Sequence, residues 1–172
     1  MAQPNAERAG MLKEKDRAVR FVGMSRDVAS VKARVRREHA VIRTLLDVLD
    51  DAAREVHGRV SGLPALRRAV WELYVVFDDH LAMEEALVLP LLKSVDAWGP
   101  VRAENMLTEH NEQRQMLLAL VDDTECDQKD ASALAEEASW LVKALRKDID
   151  AEDEALEVLD RTAGFVPGQS DG

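Results

Sequence analysis

Leu73-Tyr74-Val75-Val76-Phe77-Asp78-Asp79-His80-Leu81-Ala82-Met83-Glu84-Glu85-Ala86-Leu87 is the stretch that decides the fold. Its apolar positions Leu73, Val76/Phe77 and Leu87, continued by Leu91, return every three or four residues, the spacing of one helix face. His80 and Glu84 stand in the same register, where a helix packed on its neighbours needs apolar groups. A buried imidazole or carboxylate without a partner is costly, so this face carries chemistry as well as packing.

Working outward, Pro64 suits the first turn of this helix, and Leu66, Ala69/Val70 and Leu81 complete its stripe. Pro90 predicts a kink or an end. Upstream, Ser25 reads as a cap with Asp27 in the first turn of another helix. Its core side is Val31, Val35, Ile42, Leu45, Leu46, Leu49, Ala53 and Val56, and it runs to His57-Gly58, where glycine suits the C-cap. Downstream, Trp98-Gly99-Pro100 reads as a turn. A third helix is expected over 101–121, with Met106, Leu107, Leu117, Leu120 and Val121 on its apolar side, and an acidic loop over 122–129. The fourth begins around 130–132 and carries Leu134, Ala138, Leu141, Val142, Leu145, Ile149, Ala155, Leu156 and Leu159. Four such helices on short loops predict an all-α, up-down-up-down four-helix bundle over residues 25–160. Residues 1–24 read as an arm, or as a short extra helix over 11–22, and 161–172 as a flexible tail.

Composition agrees. A chain of 172 residues suits one domain, and 47% hydrophobic with only 8 Gly and 5 Pro favours helices over sheets or disorder. A net charge of −10 repels phosphate backbones and argues against nucleic acid as a partner. The single cysteine, Cys126, cannot form an intramolecular disulfide and points to a reducing interior. There is no secretory apolar segment and no run near the ~18 residues a bilayer crossing needs. A soluble, cytoplasmic protein without membrane partners is expected.

The other helices repeat the anomaly. His39 lies on the inward register of the first helix, four residues after Val35. His110 lies between Met106/Leu107 and Leu117 on the third. Asp148 and Glu152 lie between Leu141/Leu145 and Leu156/Leu159 on the fourth. A lone example is ordinarily a hydrogen-bonded core group. Six such residues on four facing helices, with His80/Glu84 and Asp148/Glu152 as i,i+4 pairs, point to one centre. Imidazole nitrogens and carboxylate oxygens together suit iron, manganese or zinc, and carboxylates can bridge two metals.

These segments resemble the hemerythrin-like, or HHE cation-binding, domain. They are Arg37-Glu38-His39-Ala40-Val41-Ile42, His80-Leu81-Ala82-Met83-Glu84-Glu85, Thr108-Glu109-His110-Asn111 and Asp148-Ile149-Asp150-Ala151-Glu152. Leu87-Val88-Leu89-Pro90 resembles the family's apolar-Pro stretch. The likeness spans about residues 31–160. It implies a di-iron site held by His39, His80, Glu84, His110, Asp148 and Glu152, with O2 or another small oxidant as ligand. The chain departs from the family at Asp148, where the resemblance implies histidine. Either the aspartate ligates in a more carboxylate-rich site, or it is too short and leaves the second iron weakly held or absent.

The rival readings are a di-iron enzyme acting on peroxide or nitric oxide, and a metal-free regulatory bundle with a vestigial site. A ferritin-like Glu-x-x-His site fails, because Arg36, Phe77 and Leu107 stand three residues before His39, His80 and His110. Glu85 and Glu109 read as surface groups or supports for the ligands, and Asp150, Asp153 and Glu154 as a solvated acidic face. His57 reads as a solvated helix-end histidine, Tyr74 as a core or boundary aromatic, and the methionines as core filler. No nucleophile triad, phosphate loop or dinucleotide fingerprint is present.

Overall fold

A computed structural model describes residues 27–56, 62–126 and 129–163, with side chains as far as residue 157. Four helices follow in order: α1 (Val28–Val56), α2 (Leu63–Val95), α3 (Gly99–Glu125) and α4 (Ala131–Ala163). α1 packs against α2 and α4, α2 packs against α3, and the α3–α4 contact is thinner. This is the four-helix bundle the stripes predict. No helix among the described residues is long and apolar enough to cross a membrane.

Local chemistry accounts for the helix ends. Asp27 caps α1, accepting from the Ser30 amide at 3.1 Å. The cap expected at Ser25 falls outside the described residues, as do His57-Gly58, the possible helix over 11–22 and the side chain of Leu159. Pro64 does sit in the first turn of α2. Asp130 caps α4 by accepting from the Ala133 amide at 2.8 Å.

Four expectations need correction. Of the kink or end expected at Pro90, the end is excluded, because α2 continues to Val95. Pro90 is exposed, so water can reach the carbonyl its missing N–H leaves free. The turn lies earlier than Trp98-Gly99-Pro100, at residues 96–98, because α3 begins at Gly99. A side chain at Gly99 would meet the Leu92 carbonyl oxygen at 2.2 Å, so only glycine allows the chain to reverse so tightly. α3 also runs to Glu125, through much of the expected acidic loop, and α4 to Ala163, past the expected start of the tail. Finally, Leu107 is exposed and Ala155 does not pack in the core. The apolar face of α3 is narrower than its composition suggests.

The apolar interior forms two clusters. The larger includes Ile42, Leu46, Leu49, Leu66, Leu73, Phe77, Leu117, Leu141, Leu145 and Ile149. Tyr74 packs at its edge, with its ring 5.7 Å from that of Trp71. The smaller consists of Val31, Val35, Met83, Leu87, Val88 and Leu156. His39 and His110 fall between the two along their helices, and the His80/Glu84 pair straddles the place where α2 passes from one to the other, so a polar layer divides the core.

Leu46 is fully buried in the larger cluster. Leu46→Ala should lower the free energy of unfolding by about 2–5 kcal/mol, read from urea denaturation monitored by circular dichroism.

Candidate metal centre

The i,i+4 spacing of His80 and Glu84 turns both into the bundle from α2, and His39 and His110 meet them from α1 and α3. All four are buried. One donor atom each from His39, His80, Glu84 and Glu152 lies within 4.8 Å of all the others. His39 Nε2 is 3.3 Å from Glu152 Oε2 and 3.9 Å from Glu84 Oε1, and His80 Nε2 is 3.6 Å from Glu84 Oε1. The other Glu84 oxygen, Oε2, faces His110 Nε2 at 3.4 Å. Glu84 therefore presents one oxygen to His39 and His80 and the other to His110.

Asp148 stands one turn before Glu152 on α4. Its Oδ2 accepts from Gln113 Nε2 at 3.2 Å, and Gln113 itself is buried three residues after His110. Of the six residues singled out in the sequence, the structure gathers His39, His80, Glu84, Glu152 and His110. It holds Asp148 through the α3 glutamine.

The outer ring nitrogens are tied by a repeated device. His39 Nδ1 is 2.8 Å from Asp153, His80 Nδ1 is 3.2 Å from Glu38, and His110 Nδ1 is 3.1 Å from Glu85. Each carboxylate also takes an arginine: Arg43 on Asp153 at 2.7 Å, Arg34 on Glu38 at 2.8 Å and Arg114 on Glu85 at 2.7 Å. Burial works against ionisation of all three acids, yet the histidine and arginine partners hold each below the usual carboxylate range. Anionic acceptors on Nδ1 fix a proton there and leave each Nε2 lone pair facing inward.

Those inward atoms make no well-formed hydrogen bond, although carboxylate oxygens stand 3.3–3.9 Å from them. His39 Nε2, His80 Nε2, His110 Nε2, Glu84 Oε2 and Gln113 Oε1 are buried and unsatisfied. Converging buried acceptors of this kind are costly unless something fills the space between them. Donors about 2.0–2.2 Å from a common ion lie roughly 3.0–3.5 Å apart, close to several of the separations here. The donor set thus fits a metal ion.

Without metal, protons answer the same need. Burial disfavours charge on His110, but Glu84 and Glu85 overcome it and push its pKa up to about 9. His39 is also raised: burial opposes the charge, while Glu152 and Asp153 favour it. Burial raises the Glu152 carboxyl and the nearby Glu84 adds to this, against the pull of His39.

Three supporting residues have no such role in the sequence reading, and Glu38, which holds His80, is one of them. Asp153, assigned to a solvated face, is the partner of His39, whereas Asp150 on that face is exposed and pairs with Arg43. Gln113 was overlooked because glutamine is no strong ligand signal. Its place three residues after His110, on the same helix face, was the available clue. Glu85 supports His110, and Glu109 is exposed.

A family model, the hemerythrin HHE cation binding domain, matches residues 31–158. Curated proteins and solved structures give no match. The match covers most of the chain, which therefore belongs to the hemerythrin HHE cation-binding family.

The raised His110 pKa has a stability consequence for the protein kept in chelator. A proton held up to about pH 9 in the folded state, against the ordinary 6.5, stabilises fully below 6.5 and is lost as pH rises through 9. The free energy of unfolding in chelator should therefore fall between pH 6.5 and 9. His110→Gln should flatten that fall in denaturant titrations across the range.

Proposed function

We propose that this member of the hemerythrin HHE cation-binding family binds non-haem iron between its four helices, with O2 or a related small oxidant as the ligand of that iron. The support comes chiefly from the inward, unpartnered Nε2 atoms of His39, His80 and His110 around Glu84. A nitrogen and oxygen donor set without thiolate suits iron, manganese or zinc, and the family likeness favours iron. The free, exposed Cys126 fits a reducing cytoplasm.

His39, His80, Glu84 and Glu152 would hold one ion. His110 and Asp148 are the residues that would serve a second. That second position would be the weaker, because Asp148 is a short carboxylate already engaged by Gln113. When bound, iron in such a set supplies a redox-active centre with open positions for a small oxidant. The chain orients the ligands through the Nδ1 partners and keeps apolar side chains above and below the site. Its carboxylates balance the charge of the cations.

Metal content decides the matter. Purified protein reconstituted anaerobically with Fe(II) should carry between one and two irons per chain, with the melting temperature raised by iron and lowered again by chelator. Glu84→Ala and His80→Ala should lose most of the metal, and Asp148→His should bring the content closer to two. Glu38→Gln should weaken binding roughly 10–100-fold while the fold is retained. An iron-free protein whose melting temperature ignores added iron would falsify the reading. Catalytic turnover of peroxide that vanishes in His80→Ala would instead make the protein an enzyme.

A further inference from the structure

The interior does not close beyond Glu84 and Glu152. A cavity of about 390 Å³ begins at these two carboxylates and extends to Asp96 and Arg102 at the α2–α3 turn. Glu84 and Val95 both line it and stand eleven residues apart on α2, so it follows that helix for roughly 16 Å. Between the ends the walls are apolar, including Val88, Leu92, Met106 and Leu156. Ala155, which leaves the core, faces this space. The Glu152 side chain is 31% exposed, whereas those of His39, His80 and Glu84 are at most 4%. The cluster is open chiefly on the side where Glu152 meets the cavity.

Size and lining together indicate the ligand. A water occupies about 30 Å³ of liquid, so a diatomic molecule would fill a small part of the space. The volume falls within the roughly 300–1,000 Å³ range of small-molecule sites. The long apolar walls match an unbranched hydrocarbon chain. Among the described lining residues Arg102 is the only cation. It is partly exposed and pairs with Asp96 at 2.6 Å, and its five N–H donors leave room for a second carboxylate. An anionic head would be repelled by Glu84 and Glu152 at the inner end, whereas at the outer end it meets Arg102, whose charge Asp96 partly offsets.

We propose that this cavity binds a medium-chain aliphatic monocarboxylate, with its head on Arg102 and its methyl end toward Glu84 and Glu152. The binding itself rests on the cavity alone; that the chain end meets a metal rests on the iron reading above.

The test is calorimetric titration of the full-length protein with dodecanoate below its micellar range, in chelator and after iron loading. Saturable one-to-one binding is expected in both states, with dodecanol weaker and dodecyltrimethylammonium weakest. Met106→Trp should fill the cavity and reduce dodecanoate binding at least tenfold, with helix content and iron content unchanged. Arg102→Gln should weaken dodecanoate at least fivefold and leave dodecanol as it was. Absence of dodecanoate binding, or undiminished binding by folded Met106→Trp, overturns the proposal. Equal affinity for all three head groups overturns the assignment of Arg102. Binding by a protein that takes up no iron would defeat the iron reading and leave this one standing. Iron uptake without dodecanoate binding would do the reverse.

Discussion

Seven polar side chains share one cross-section of this bundle, and the need to satisfy them organises everything around it. His39, His80, Glu84, His110, Gln113, Asp148 and Glu152 sit where a bundle of this size would otherwise carry a continuous apolar core. Burying such groups unpaired costs several kcal/mol each by transfer arguments, about the scale of a whole domain's stability when summed. The fold meets this by dividing its apolar interior into a large cluster on one side and a small one on the other. The polar groups then face each other instead of hydrocarbon.

The outward partners form a closed ring around the bundle. Glu38 of α1 holds His80 of α2, Glu85 of α2 holds His110 of α3, Gln113 of α3 holds Asp148 of α4, and Asp153 of α4 holds His39 of α1. Every helix is thereby fixed in rotation against both neighbours. Three links are carboxylate–imidazole pairs backed by arginine. The fourth is different in kind, since an amide donates to a carboxylate. It bridges α3 and α4, the more thinly packed pair. Asp148 thus has its structural partner in Gln113.

The same layer sets the openness of the site. Met83 and Leu87 pack in the small cluster beside it, while an apolar space lined by α2, α3 and α4 runs from Glu84 and Glu152 to the α2–α3 turn. Gly99 lets that turn run tight against the Leu92 carbonyl, bringing Arg102 and Asp96 to the rim.

Much of this was legible in the sequence. Apolar residues at helical spacing determine four helices, and the i,i+4 pair His80/Glu84 must share a face whatever the surroundings, because helix geometry is local. At least one polar position on every stripe then points to a common centre. Other features were not legible, because they depend on how helices are rotated and staggered against one another. Asp153 and Asp150 look alike in a run of acids, yet one turns toward His39 and the other stays exposed. Gln113 acquires a role only when α4 brings Asp148 within 3.2 Å. Leu107 reads as core but lies in solvent, and Ala155 reads as core but lines a cavity. The sequence by itself determined the helices and the chemistry of their inward faces. The tertiary structure alone decided which carboxylate serves which histidine and where the site opens, because contacts between helices depend on angles that no single helix encodes.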